Sequence, residues 1–179
     1  AMPSPNRGDK MPKQIRPIRV CGDVAYVTLT QGHEAIIDAS DIPLVQSFNW
    51  RALMPRHTVY ALRSDHSGPK VCAVYMHRVI MGDPDGLHID HEDGNGLNNA
   101  RDNLRLATPS QNRCNSRTRR DSKSGFKGVG WDAARDKWRA YITLNCKQKH
   151  LGVFDSPEEA HEAYCRASKE LHGEFGRTS

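Results

Sequence analysis

The chain has 179 residues, 37% hydrophobic and 26% charged, with a net charge of +5 and a pI near 9.0, which is room for one or two small globular domains with a bias toward a polyanionic partner. No apolar run approaches the roughly eighteen residues of a membrane span and no signal-peptide pattern occurs, so neither a membrane protein nor a secreted one is indicated and a cytoplasmic location is expected. Five cysteines, at 21, 72, 114, 146 and 165, are too scattered for a disulfide framework or a zinc site and read as reduced, mostly buried thiols.

Residues 1–16 offer nothing to bury and read as a disordered tail. From 17 to 79 the chain is strand-rich. Segments 24–29 and 34–37 flank a Gln31-Gly32 turn, the pattern of a hairpin. Residues 41–48 carry Ile42, Val45 and Phe48 at helical spacing behind an Asp/Ser cap, with Pro43 acceptable only in the first turn. Strands follow over 50–53, 59–63 and 71–75, and 76–81 is a short apolar helix or turn containing His77 and Arg78.

Residues 87–115 carry the chemistry. Apolar and polar side chains alternate over 87–91, and Gly94, Asn95 and Gly96 then break the strand into a loop. A second strand spans 104–107. Thr108-Pro109-Ser110-Gln111 starts a helix with a threonine N-cap, proline at the first helical position and glutamine closing a capping box. Asp90 and His91 stand at the end of the first strand and Asn112 in the first turn of the helix, so a carboxylate, an imidazole and an amide converge. Asp90 and Asn112 offer hard oxygens suited to magnesium or manganese held jointly with a phosphate. His91, on the other side of the strand, is free to act as a base on water. His88 shares the Asp90 face, where it reaches the phosphate or faces solvent.

These positions, Asp90-His91, Asn103 and Asn112, with Gly94-Asn95, Leu97-Asn98-Asn99, Asn103-Leu104-Arg105, Thr108 and Gln111, resemble the HNH endonucleases of the ββα-metal fold, phage and intron homing enzymes in particular. The resemblance covers about thirty residues. It implies that His91 is the general base, that Asp90 and Asn112 hold one divalent ion, and that Asn103, grouped with His91 as catalytic, pins the loop. The expected ion is magnesium, with manganese as a substitute. Zinc is not expected, because the last position is asparagine instead of histidine and no CxxC pairs are present. The resemblance also makes the strand-rich segment a support for the site, and makes His77 and Arg78, with His88, candidates for contacting phosphate or bracing the site from just outside it.

The connection 116–124 is basic and without apolar residues, suited equally to solvent and to a phosphate backbone. Strands are expected over 126–132, 138–144 and 150–154, with turns over 133–137 and 145–149. Ser156-Pro157-Glu158-Glu159 opens a helix as a second capping box, with Ala160, Ala163, Tyr164, Ala167 and Leu171 at helical spacing and Gly173 as its stop. Residues 116–150 contain ten Lys/Arg against three Asp/Glu, whereas 155–175 contain two against six. The basic part therefore presents a candidate nucleic-acid surface. It includes Arg113, Arg117, Arg119 and Arg120, then Lys127, Arg135, Lys137, Arg139, Lys147 and Lys149, interleaved with Trp131 and Tyr141. Arg105 of the motif is expected to join them, and a three-stranded sheet of this kind can enter a major groove. Trp138 and Phe154 serve equally as core under the helix.

The sequences Ser124-Gly125-Phe126-Lys127-Gly128-Val129, Lys137-Trp138-Arg139-Ala140-Tyr141-Ile142, Leu151-Gly152-Val153-Phe154, Glu158-Glu159-Ala160 and Ala163-Tyr164 resemble the APETALA-two/ethylene-response-factor DNA-binding domain. Gly130 and several lysines stand where the plant versions carry arginine, so base specificity does not transfer. The expected architecture is α+β: a tail (1–16), a ββα-metal HNH nuclease unit with a strand-rich N-terminal extension (17–115), a basic linker (116–124), and a three-stranded antiparallel sheet packed on one helix (125–176). The expected function is metal-dependent hydrolysis of double-stranded DNA in a bacterial or phage-infected cell, with no protein partner implied. The alternatives are a non-catalytic DNA-binding regulator on an HNH scaffold and an RNA-binding protein.

Overall fold

Short alternating segments bounded by turns pair with their neighbours in sequence, and the result is an α+β fold of small antiparallel sheets. The computed structural model describes residues 14–55, 58–118, 121–145 and 147–178. Strands β1 (Ile18–Cys21), β2 (Val24–Thr28) and β3 (Glu34–Asp38) form the first sheet in chain order. A 3-10 turn at Thr30–Gly32 joins β2 to β3 at the expected hairpin. Strand β1 has no counterpart among the sequence expectations. Three of its four residues are exposed, so no burial alternation marks it, and only pairing with β2 defines it. The tail expected to reach residue 16 is ordered by residue 14, because Arg16 donates to Asn49 Oδ1 and Trp50 O, and Asn49 donates to Gln14 O. Residues 1–13 lie outside the described residues.

The helix expected over 41–48 is a single turn, α1 (Ile42–Val45). Val45 O accepts from Phe48 N and from the indole of buried Trp50 at 2.9 Å, so the carbonyl that would continue the helix is already occupied. Strands β4 (Arg51–Leu53), β5 (Tyr60–Asp65) and β6 (Cys72–Tyr75) make a second sheet, and α2 (Met76–Ile80) follows directly. Strands β7 (His88–His91) and β8 (Leu104–Ala107) then pair, and α3 (Pro109–Cys114) starts from a Thr108 cap in which Thr108 and Gln111 exchange both bonds of the capping box. One core joins these parts: Val27, Ile37, Trp50, Ala61, Met76 and Ile80 pack with Ile89 of β7 and Leu104 of β8.

The loop between β7 and β8 is fastened to the first sheet. Ile36 N donates to Leu97 O at 2.8 Å and Asn99 N to Ile36 O at 2.7 Å, which uses the free edge of β3. Arg101 makes a bidentate contact to buried Asp41, and its backbone N–H donates to Asp38. Gly96 passes so close to β5 that a Cβ there would lie 2.6 Å from the Tyr60 ring and from Val59 O, which only glycine permits.

The C-terminal sheet has β9 (Val129–Asp132), β10 (Lys137–Leu144) and β11 (Lys147–Phe154) in the order β11-β10-β9, covered by α4 (Pro157–His172). Strand β9 starts three residues later than expected, and β11 starts three earlier, leaving a shorter turn. Of the expected Ser156–Glu159 capping box, Ser156 Oγ accepts from Glu159 N at 3.2 Å. Val129, Ala140 and Ala160 form a second core with Phe126, Trp138, Leu151, Phe154 and Ala163. Cys21 and Cys72 are exposed, against the expectation of mostly buried thiols, since both lie at sheet positions with no layer over them.

Replacing Gly96 with alanine should lower the urea midpoint by an amount equivalent to about 1–3 kcal/mol, as overpacking does in a tight contact. An unchanged midpoint would mean that the loop is not pressed against β5.

Candidate functional site

Strand alternation sends His88 and Asp90 to one face of β7 and Ile89 and His91 to the other. Antiparallel register sets Arg105 directly opposite Asp90; Arg105 Nε donates to Asp90 Oδ2 at 3.0 Å, and Nη2 forms an ion pair with the same oxygen at 2.9 Å. Arg105, expected on DNA, is instead the counter-ion of a buried carboxylate, and its remaining nitrogen donates to Glu174 O while its plane lies over Phe175 at 4.2 Å. Asn112 Nδ2 lies 3.1 Å from His88 Nδ1. One turn further, Asn115 Nδ2 is 3.0 Å from both Asp90 oxygens and donates to His91 O at 2.7 Å. The helix residue that touches Asp90 is therefore Asn115, at the boundary of the expected linker. Its signal in the sequence was only the i, i+3 repeat of asparagine on one helix face.

His91 is buried, and burial lowers its pKa, opposed by the hydrogen bond to Asn99 and by the charges of Asp93 and Asp90. Its ring meets His77 edge-on at 5.1 Å and Tyr60 at 5.8 Å. His77 stacks on Tyr75 at 5.4 Å, and burial, then the neighbouring His91 and Arg78 charges, push its pKa down to about 3. Arg78 donates to Asp83, Pro84 O and Leu87 O, fastening the turn that leads into β7. Asn103 donates to Asn98 O at 2.8 Å and Asp93 Oδ1 at 3.0 Å and accepts from Asp93 N, so it braces the loop and acts through it. Sequence reasoning gave no role to Asn99, which stood only among the motif positions, or to Asn115, Tyr60 and Tyr75; apart from the asparagine repeat at 112 and 115, no local pattern separates them from ordinary loop, cap or strand residues.

A cavity of about 740 Å³ brings Asp90, His91, His77, His88 and Asn112 together with Tyr60 and Tyr75 of the second sheet and Thr58 just before β5. The donors fit a hard divalent ion. Asp90 Oδ1 accepts one hydrogen bond and retains a lone pair, and among the described residues no bond falls on Asn112 Oδ1. No group of three or more His, Cys, Asp or Glu side chains is placed to hold a metal among the described residues; an ion held by Asp90 and Asn112 alone would need phosphate and water to complete its shell.

Register divides the expected nucleic-acid residues between two faces of the C-terminal sheet. Trp138 packs in the core with α4, and Trp131, its direct partner on β9, meets it edge-on at 5.0 Å on that same side. Lys149 pairs with buried Ile142 and Lys147 with Leu144, which puts both lysines on the α4 side as well. Lys137, Arg139 and Tyr141 lie on the opposite face, joined by Thr143, Gln148 and His150, which sequence reasoning passed over. Lys127 is withdrawn from that surface: its ammonium donates to Cys114 O and Ser116 O at 2.5 and 2.6 Å, and burial pulls its pKa to about 8. Arg135 pairs with Asp132, Lys137 with Asp155, and Arg117 reaches Gly94 O at 3.4 Å. Arg113 sits in the last turn of α3, and Arg119 and Arg120 lie outside the described residues.

The strand pair, braced loop and capped helix around an Asp-His pair define a ββα-metal nuclease scaffold. A family model described as HNH endonuclease matches residues 74–114, and one described as AP2 domain matches residues 124–174. Protein 3.8 of Escherichia phage T7 is 45% identical over 94 residues, covering 52% of this chain and 77% of that protein. A protein of Acanthamoeba polyphaga mimivirus named as an uncharacterized HNH endonuclease is 27% identical over 179 residues, covering 96% of this chain and 91% of that protein. No solved structure is a significant match. The chain belongs to the HNH endonuclease family and carries an AP2 domain after its HNH motif, a combination that implies DNA binding. No helix among the described residues is long and apolar enough to cross a membrane.

The pKa of His77 makes a prediction about stability. Its folded value near 3 lies below the ordinary 6.5, so between the two the unfolded chain binds more protons and stability is lost as pH falls below about 6.5. His77→Phe, which retains the ring packing without the titrating group, should flatten the decline in Tm between about pH 7 and pH 4. Parallel curves for the two proteins would mean that His77 is not the neutral, half-buried group described.

Proposed function

We propose that the chain is a divalent-metal-dependent DNA endonuclease of homing or phage type, acting in the cytoplasm of a bacterial or phage-infected cell. Residues 17–115 form the nuclease unit, 116–124 a basic connection and 125–176 a DNA-binding unit. The observation that carries the reading is the meeting in one cavity of Asp90 and Asn112 on one side of β7 with the buried His91 on the other.

Asp90 and Asn112 are the residues that would hold the ion, with magnesium expected and manganese as its substitute. Such an ion would supply Lewis-acid stabilisation of the charge developing on the phosphate and on the departing oxygen. His91, kept neutral near pH 7 by burial, takes a proton from water as the water oxygen attacks phosphorus. The bond from phosphorus to the 3′ oxygen breaks on the opposite side, that oxygen takes a proton from solvent, and the ends are 3′-hydroxyl and 5′-phosphate. Tyr60, Tyr75 and His77 wall the cavity and limit water around the base. The sheet face with Lys137, Arg139, Tyr141, Thr143, Gln148 and His150 lies away from α4, where a duplex groove can receive it.

Plasmid nicking with magnesium, with manganese and with EDTA tests the reading. Wild type should cut with either ion and not in EDTA, and His91→Ala should abolish cutting with DNA affinity nearly unchanged, because a base acts in the transition state. Residual cutting within tenfold of wild type would remove His91 from the role of base. Thermal melts should be the same with and without EDTA, since an incomplete oxygen shell contributes little to folding, unlike a structural zinc site.

The DNA face makes a separate claim. Arg139→Ala should lower the magnitude of the log–log salt slope of binding by about 0.9 if Arg139 contacts a phosphate, and Lys149→Ala, on the α4 side, should leave the slope unchanged. The reverse pattern would place the duplex on the other face.

A further inference from the structure

A histidine base has two ring nitrogens, and the packing behind His91 decides which of them is available. Asn99 has no exposed surface and is fastened to the edge of β3, its backbone N–H donating to Ile36 O at 2.7 Å. Its side-chain amide has two neighbours: Leu97 O lies 3.0 Å from Nδ2, and His91 Nε2 lies 3.3 Å from Oδ1. Turning the amide over would set Oδ1 against the Leu97 carbonyl, two acceptors with no proton between them. The orientation of the amide is thus set by a contact that does not involve the histidine. Oδ1 can only accept, so Nε2 carries the ring proton and Nδ1 keeps the lone pair. Among the described residues no hydrogen bond falls on Nδ1, and His91 lines the cavity whereas Asn99 stands behind it.

We propose that Asn99 is the positioning residue for His91: its Oδ1 holds the ring by Nε2–H and leaves Nδ1 to receive the proton from the attacking water. The proposal rests on the reading of His91 as the base. When Nδ1 takes that proton the ring becomes an imidazolium, and the contact to Asn99 turns from a neutral hydrogen bond into a charge-assisted one. A bond that strengthens as the reaction proceeds raises kcat more than it lowers KM. The placement also explains why β3, remote from the cavity, reaches across to the loop: the strand edge fixes the residue that fixes the ring.

The test uses the full chain and two substitutions. Asn99→Leu keeps the volume and removes the acceptor, while Asn99→Asp restores an acceptor to His91 but loses the donor to Leu97 O. In the free protein labelled with 15N, His91 should show a ring N–H on Nε2 protected from exchange with solvent, lost in Asn99→Leu and kept in Asn99→Asp. With magnesium and plasmid, Asn99→Leu should lower kcat by about 10- to 100-fold, the usual cost of removing the group that orients a functional histidine, with KM within twofold. Asn99→Asp should recover part of that loss. A protected proton on Nδ1 of the wild type, or an Asn99→Asp variant as slow as Asn99→Leu, overturns the proposal. The ring signal is read without substrate, so its failure is separable from failure of the base reading, which would show as a His91→Ala variant that still cuts.

Discussion

A carboxylate taken out of water loses its hydration and needs a cation beside it, and Asp90, 5% exposed, has Arg105 directly across the β7–β8 ladder. Three separate parts of the chain are arranged around that pair. The strand register sets the guanidinium opposite the carboxylate. Asn115, the residue that caps α3, turns its amide onto both carboxylate oxygens and onto His91 O, which ties the end of the helix to the strand. The turn after α4 supplies Glu174 O and the Phe175 ring to the far side of Arg105, and Arg177 donates to Asp93 O in the loop. A segment that belongs to the AP2 match or just follows it is thereby in contact with the HNH motif. Loss of either charged partner would leave the other buried and alone, which is far more costly than the pair is favourable.

The first two sheets do for the opposite side of β7 what this pair does for its own. A loop rich in Asn and Gly has many accessible conformations, and ordering it is unfavourable unless its backbone groups find partners. Strand β3 offers its free edge to Leu97 and Asn99, Asp38 and Asp41 hold Arg101, and Thr58 accepts from Gly96 N. The same elements bring Tyr60 and His77 against His91 and Tyr75 against His77, and burial there lowers the pKa of both imidazoles. The strand-rich extension is therefore a wall of the cavity and a frame for its loop at once.

In the C-terminal sheet, charge and face are different things. The basic residues cluster along the chain, but a strand turns successive side chains to opposite sides, so a cluster in sequence becomes two groups in space. A bulge between Ala140 and Tyr141 shifts the pairing so that His150, and not Leu151, stands opposite Tyr141. Ion pairs with Asp132 and Asp155 further neutralise Arg135 and Lys137, and Lys127 turns inward to hold the carbonyls that end α3.

What the residues determined by themselves were features whose cause is local. The bounds 104–107 of β8, the Thr108 capping box and the hairpin at Gln31-Gly32 all depend on side chains within a few positions of one another, where propensity and backbone hydrogen bonding act without help. The joint spacing of Asp90, His91, Asn103 and Asn112 was legible for the same reason, because a hairpin and a capped helix leave few ways to arrange their ends. Tertiary structure alone decided that Arg105 faces Asp90 instead of solvent, that Asn115 and not Asn112 touches the carboxylate, that Asn99 stands behind His91, and that β1 exists as a strand at all. Each of those outcomes depends on a partner distant in the chain or on a register that differs by one residue, and neither distance through space nor a shift of one position leaves a mark in local composition.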